Sequence, residues 1–157
     1  MDSGYDILLR ALSAAFGDRL RTAVLFGSRA RGENSSESDH DIFLVIDGLN
    51  SDPLGRTREV RGAIKDCLAD LPGAMNLHAK TPFEFESDLT PLCLDVCVDG
   101  MCLFGEEYFE PLRRKALAAL ASSGMKRRRV GKSLFWMLSG KAARNWELTW
   151  DGYRERP

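Results

Sequence analysis

Leu25-Phe-Gly-Ser-Arg-Ala-Arg-Gly-Glu-Asn-Ser-Ser-Glu-Ser-Asp-His-Asp-Ile-Phe-Leu-Val-Ile46 decides the fold. The stretch leaves one apolar run, Thr22-Ala-Val-Leu-Phe26, crosses a loop of Gly, Ser and charge, and enters a second, Ile42-Phe-Leu-Val-Ile46. Both runs read as short buried strands, and the second is apolar throughout, as in a sheet covered on both faces. Asp39 and Asp41 stand at its mouth. Residues i and i+2 of a strand share a face, so both acids look out on one side and His40 on the other. At about 5 Å and an effective dielectric of about 20, two bare carboxylates repel by roughly 3 kcal/mol. A sequence that builds this pair usually has a cation to place there, a turn or cap role for the two acids being the alternative. Across the loop, Gly27-Ser28 sits where a strand ends and a helical turn starts, where backbone N–H groups collect and suit a phosphate.

Gly27-Ser28, ten residues, then Asp39-x-Asp41 resembles the GS-x10-D-x-D signature of the DNA polymerase β-type nucleotidyltransferase superfamily. Gly-Ser-Arg-Ala-Arg-Gly at 27–32 and Ser-Asp-His-Asp-Ile at 38–42 are similar to its small stand-alone members, the minimal nucleotidyltransferases. The resemblance implies an α/β fold, a small mixed sheet flanked by helices, here followed by a basic C-terminal extension. It implies transfer of a nucleoside monophosphate, AMP from ATP, to a hydroxyl with release of pyrophosphate. Asp39 and Asp41 would then be catalytic and hold Mg²⁺, with Gly27, Ser28, Arg29 and Arg31 at the nucleotide's phosphates. For Arg29 and Arg31 a surface ion-pair role stays equally open.

Members of the family usually carry a third carboxylate, flanked by apolar residues on a later strand. Aligning on Thr81-Pro82 places it at Asn76, which offers a carbonyl oxygen but no charge and no proton-accepting power near neutral pH. Asp95, in Leu94-Asp95-Val96, fits the apolar-acid-apolar pattern and is the candidate third catalytic and metal-binding acid. A paired structural carboxylate is the alternative there. His78 shares a strand face with Asn76 and reads as a half-buried strand residue. In minimal members the acceptor is often a partner protein of the HEPN type, a helical ribonuclease toxin that the transferase neutralises as antitoxin. The chain lacks the large helical domain of antibiotic-modifying relatives, so another protein is expected to supply the acceptor. The competing reading is a catalytically degenerate module of the same fold that docks a protein or RNA through its basic tail. Asn76 favours it. Base preference and homo-oligomerisation stay open.

The 157 residues, 44% of them hydrophobic, suit one globular domain. No run approaches the roughly 18 apolar residues of a membrane span. The start, Met1-Asp-Ser-Gly-Tyr-Asp6, is acidic where a secretory signal would be basic, so a cytoplasmic protein is expected. Cys67, Cys93, Cys97 and Cys102 lack the paired C-x2-C spacing of zinc knuckles and read as small buried thiols. The net charge of −1 hides an asymmetry: residues 1–110 hold 10 Lys/Arg and 20 Asp/Glu, residues 111–157 hold 12 and 3. The division is accordingly a transferase domain over 1–121 and a basic, Trp-containing extension over 122–157. A basic segment of this kind contacts nucleic acid or folds back on the acidic part, and the second is preferred.

Further along, helical spacing predicts helices over 3–16, 56–70 (buried stripe Val60, Ile64, Cys67, Leu68, Leu71) and 107–121 (Leu112, Leu117, Leu120 inward). Ala74–Ala79 reads as a strand, and Thr81-Pro82 with Glu84 starts a short helix. Leu92–Val98, turning at Asp99-Gly100 into Met101–Phe104, reads as a hairpin, and Asn145–Trp150 alternates like a strand.

Overall fold

The computed structural model describes residues 3–138 and 145–155, so the parts of the expected extension at 139–144 and 156–157 lie outside the described residues. The chain runs α1 (Ser3–Phe16), β1 (Leu20–Phe26), α2 (Gly27–Ala30), β2 (His40–Ile46), α3 (Pro53–Ile64, continued as a 3-10 stretch over Lys65–Asp70) and β3 (Met75–Lys80). It continues through α4 (Pro82–Ser87), α5 (Pro91–Asp99), β4 (Met101–Phe104) and α6 (Glu106–Ser123). Two hairpins follow, β5 (Met125–Val130) with β6 (Ser133–Leu138), and β7 (Trp146–Thr149) with β8 (Gly152–Glu155).

Four strands form one mixed sheet in the order β3-β2-β1-β4, with β2 parallel to β3 and β1 antiparallel to both its neighbours. Strand β2 is its spine. Ile42, Leu44 and Ile46 face the core under α1 and α3, with Leu8, Leu12, Val60 and Ile64. Phe43 and Val45 face the opposite core, with Phe85, Cys93, Val96, Cys97 and Phe109. Both faces are covered, as the all-apolar run requires. His40 is buried, and the Tyr5 hydroxyl of α1 hydrogen-bonds its Nδ1 at 2.6 Å, so it lies across the strand from Asp41 as its position in the alternation dictates.

Local sequence explains most boundaries. Thr81 accepts a hydrogen bond from the Glu84 amide while Glu84 reaches back to the Thr81 amide, a capping box with Pro82 in the first turn. The expected hairpin over Leu92–Phe104 is corrected. Thr90 caps a helix, accepting from the Cys93 N–H with Pro91 in its first turn. Cys93, Leu94, Val96 and Cys97 are its buried side, and Asp95 and Asp99 fall on the other at helical i, i+4 spacing. Gly100 closes α5 rather than turning a hairpin: its N–H donates to the Val96 carbonyl at 2.9 Å, and a Cβ there would collide with that carbonyl and Val24. Two buried stripes also shift. Leu68 is 54% exposed because the backbone tightens to 3-10 after Ile64, and in α6 Leu112 and Leu120 pack against the core as expected, beside Phe109, Ala116 and Ala119, while Leu117 stays exposed.

All four cysteines are free thiols. Cys93 and Cys97 are buried, and burial pushes the Cys97 thiol up to about 12. Among the described residues no group of three or more His, Cys, Asp or Glu side chains is arranged to hold a metal. None of the described helices is long and apolar enough to cross a membrane.

The C-terminal hairpins pack on the domain. Trp150 is buried in the α5–α6 core, its ring 5.1 Å from Phe85, and its Nε1–H donates to the Phe85 carbonyl at 3.1 Å. Replacing it removes a large buried ring and orphans that carbonyl. Trp150→Ala is expected to lower the unfolding free energy by about 3–5 kcal/mol, measured by urea denaturation, although the residue lies far along the chain from the sheet.

Candidate active site

Register places the motif. Phe26 pairs with Asp41 across β1 and β2, and Asp41 pairs with Asn76 across β2 and β3. The residue after Phe26 is Gly27, so Gly27 at the exit of β1, Asp41 on β2 and Asn76 on β3 come together at one end of the sheet. Gly27 has φ +75°, and a Cβ there would collide with Asp41 Oδ2. Two separate demands, a left-handed backbone and contact with a carboxylate, therefore require glycine. Ser28 follows in the single turn of α2, which closes through the Arg31 N–H to the Gly27 carbonyl at 3.2 Å and the Glu33 N–H to the Ser28 carbonyl at 2.9 Å.

Asp41 is half-buried and Asp39, just ahead of β2, is exposed. The Asn76 amide donates to Asp41 Oδ1 at 3.0 Å. Asn76 thus stands beside the acidic pair, at the position where the family's third acid was expected. His78, two residues on, is half-buried with its ring 5.4 Å from Phe26. Burial pushes its imidazole below the ordinary value, against the opposing pull of Asp41.

Asp95 is not brought to this pair. It lies on α5, where Oδ1 accepts from Arg127 at 3.2 Å and from Trp136 Nε1–H at 2.9 Å. The expectation that it extends from a strand to complete the acidic site is corrected: the apolar flanks that suggested a strand are the buried side of a helix. The two arginines of the motif are also engaged. Arg29 donates twice to the Ser38 carbonyl, at 2.7 and 3.1 Å, tying the end of the loop immediately before Asp39. Arg31 bridges Glu33 at 3.2 Å and Asp99 at 3.1 Å.

Asp99 is the centre of a clasp that sequence reading missed. Arg127 of β5 meets it with two bonds, at 2.6 and 2.7 Å, and stacks its guanidinium 5.2 Å from the Trp136 ring. Arg129 grips Glu33 with two more, both at 2.9 Å. The basic hairpin is folded back on the acidic half by its alternate residues, Arg127 and Arg129, while Lys126 and Arg128 face out. The signal was present in the i, i+4 spacing of Asp95 and Asp99 and the i, i+2 spacing of the arginines.

As a donor set, Asp39 and Asp41 fit a hard cation such as Mg²⁺. Both supply carboxylate oxygens, one is open to solvent, and Asn76 can present a carbonyl oxygen if its amide turns. An α/β sheet with a glycine-serine turn set against an aspartate pair on the next strand has the architecture of the nucleotidyltransferases. The family described as "Polymerase beta, Nucleotidyltransferase" matches residues 14–105, and the chain belongs to it. No curated protein matches the chain. Among solved structures, a toxin–antitoxin crystallised with AMP-PNP superposes with a TM-score of 0.52 at 22% identity, covering 72% of this chain and 83% of that one. A mutant of the toxin–antitoxin MntA-HpeT gives 0.52 at 20% identity, with 72% and 83% covered. At such identities these likenesses show the fold.

Burial alone would raise the Asp99 carboxyl, but Arg127 and Arg31 more than offset it and hold it below the ordinary aspartate value. Between the depressed and ordinary values the unfolded chain binds a proton that the folded one does not, so stability rises with pH there. The clasp's contribution is present above about pH 4 and is lost as pH falls below it. Arg127→Met is expected to cost about 2 kcal/mol at neutral pH. In urea unfolding at stepped pH, its deficit against wild type narrows below about pH 4.

Proposed function

We propose that the chain is a minimal nucleotidyltransferase that moves AMP from ATP to a hydroxyl and releases pyrophosphate. The observation that carries this reading is the close approach of the Gly27 backbone to the Asp41 carboxylate, which a Cβ at position 27 would strike and which sets the glycine-serine turn beside the acidic pair. Charge develops on the α-phosphoryl oxygens and the leaving pyrophosphate, so the site acts chiefly by electrostatics and positioning. Gly27 leaves the backbone open to the phosphates, and the Ser28 hydroxyl donates to them. Arg29 holds the loop that aims Asp39, and Arg31, already shared between Glu33 and Asp99, braces the turn from behind. Asp39 and Asp41 would hold Mg²⁺. When bound, that ion neutralises phosphate charge and lowers the pKa of the attacking hydroxyl. AMP-PNP in one structural neighbour supports ATP as the donor, and the toxin–antitoxin assemblies of both support an antitoxin role. On this reading the acceptor hydroxyl belongs to a partner protein of the HEPN type.

One observation favours the second reading, a catalytically degenerate module of this fold that binds a protein or RNA partner. Asn76 occupies the place of an acid and donates to Asp41 rather than accepting a proton. Calorimetry with Mg²⁺ and a non-hydrolysable ATP analogue separates the outcomes. Wild type is expected to bind only with metal, and Asp39→Ala/Asp41→Ala to lose binding altogether. No binding by wild type rejects the transferase reading. Asn76→Asp adds a third carboxylate and is expected to tighten divalent-cation affinity about tenfold, read by Mn²⁺ titration. Unchanged affinity would mean that Asn76 does not border the cation.

A further inference from the structure

The acidic pair has two unlike sides. Towards β1 lies the Gly27-Ser28 turn, with its backbone against Asp41. Towards β3 a cavity of ≈ 540 Å³ opens between the start of that strand and α3, lined by Asp39, Asn76, Arg61, Leu68 and Met75 among others. Neither Gly27 nor Ser28 borders it. In phosphoryl transfer the attacking and leaving oxygens lie roughly in line through phosphorus. With pyrophosphate at Gly27-Ser28, the attacking hydroxyl arrives from the β3 side.

The lining of that side has a definite chemistry. Arg61 is its one cation. Arg58, Arg61 and Lys65 recur at i, i+3 and i+7, on one face of α3 and its continuation, and all three are exposed. Among the described residues none of these three side chains has an ion-pair partner, whereas Arg29, Arg31 and Arg56 are committed to Ser38, Asp99 and Glu84. Leu68, 54% exposed, adds an apolar surface beside Arg61. No aromatic side chain lines the cavity, so it offers a nucleobase nothing to stack on.

We infer that this cavity is the acceptor site and takes a hydroxyl-bearing side chain presented by an acidic peptide segment. Arg61 meets a flanking carboxylate, with Arg58 and Lys65 extending the basic track, and Leu68 packs an apolar neighbour. The inference rests on the nucleotidyl-transfer reading above. In the step itself the acceptor oxygen bonds to the α-phosphorus. The bond from that phosphorus to the bridging oxygen breaks, and its electron pair leaves with pyrophosphate. The hydroxyl proton departs to solvent past the exposed Asp39 carboxylate.

The test uses the full chain with Mg²⁺ and α,β-methylene ATP, and three fluorescein-labelled probes read by anisotropy. The first is a short peptide of Glu and Leu carrying one Ser, one Thr and one Tyr; the second has Lys in place of Glu; the third is a short single-stranded RNA. Wild type is expected to prefer the acidic peptide. Arg61→Glu should weaken that peptide about tenfold and favour the Lys version, with calorimetric affinity for the Mg-nucleotide unchanged. Equal affinity of the acidic peptide for both proteins, no binding of it to wild type, or tighter binding of the RNA overturns the assignment. Loss of nucleotide affinity in Arg61→Glu also overturns it, because Arg61 would then belong to the nucleotide side. Absence of Mg-nucleotide binding by wild type is a distinct failure, of the transferase reading itself, visible without any peptide.

Discussion

The side-chain alternation of β2 is the constraint on which the rest of the molecule depends. Its period of two sends Ile42, Leu44 and Ile46 into one core and Phe43 and Val45 into the other. The same alternation buries His40 against Tyr5 and sends Asp41 to the opposite face. Slipping the strand by one residue would drive the Asp41 carboxylate under α1 and exchange the side chains fitted to the two cores, and burying that charge alone costs several kcal/mol. The functional geometry is therefore fixed by core packing rather than by the loop. The loop of residues 31–39 can carry Gly, Ser and charge because its two ends are held by β1–β2 pairing and by the Arg29 bonds to Ser38.

This explains why the motif was legible in the sequence. Apolar runs with a turn between them, glycine at the exit of one and alternate acids at the entrance of the next, are local patterns with local causes. The α1 helix, the capping box at Thr81 and the doubly covered β2 were readable for the same reason. The region after Thr90 was not. Leu92–Val98 is apolar at nearly every position, and periodicity cannot separate a buried helix from a buried strand in so short a run. Asp99-Gly100 looked like a hairpin turn. Thr90-Pro91 repeats the Thr81-Pro82 start and was the better signal. Its weight was hidden because the partners of Asp95 and Asp99 in β5 and β6 lie 28 to 41 positions later.

The tail shows how charge asymmetry becomes structure. Arg127 and Arg129 alternate with Lys126 and Arg128 along one strand, so the hairpin sorts its cations into an inner and an outer set. The inner set neutralises Asp95, Asp99 and Glu33. Asp99 is nearly buried, with 7% of its side chain exposed, and a carboxylate so placed needs its guanidinium partners. Arg31 is one of those partners. The turn that carries Gly27-Ser28 is thus braced by the same acid that anchors the C-terminal hairpin. Composition announced that the halves attract; only the fold says through which residues.

Asn76 ties these threads to the chemistry. A third carboxylate in register with Asp41 would place another like charge within about 5 Å, at roughly 3 kcal/mol per close pair. A cation would relieve that repulsion on arriving, so an all-acid site draws its metal strongly. An amide in the same place donates to Asp41 instead and quiets the metal-free site. Part of the electrostatic drive for cation binding is gone before the cation comes. On the proposed transfer reading, a triphosphate would bring its own ion and its own negative charge and so restore what the amide removed. On that reading the metal would arrive with the nucleotide rather than ahead of it. The hydroxyl proton, which Asn76 cannot accept, would then leave to solvent.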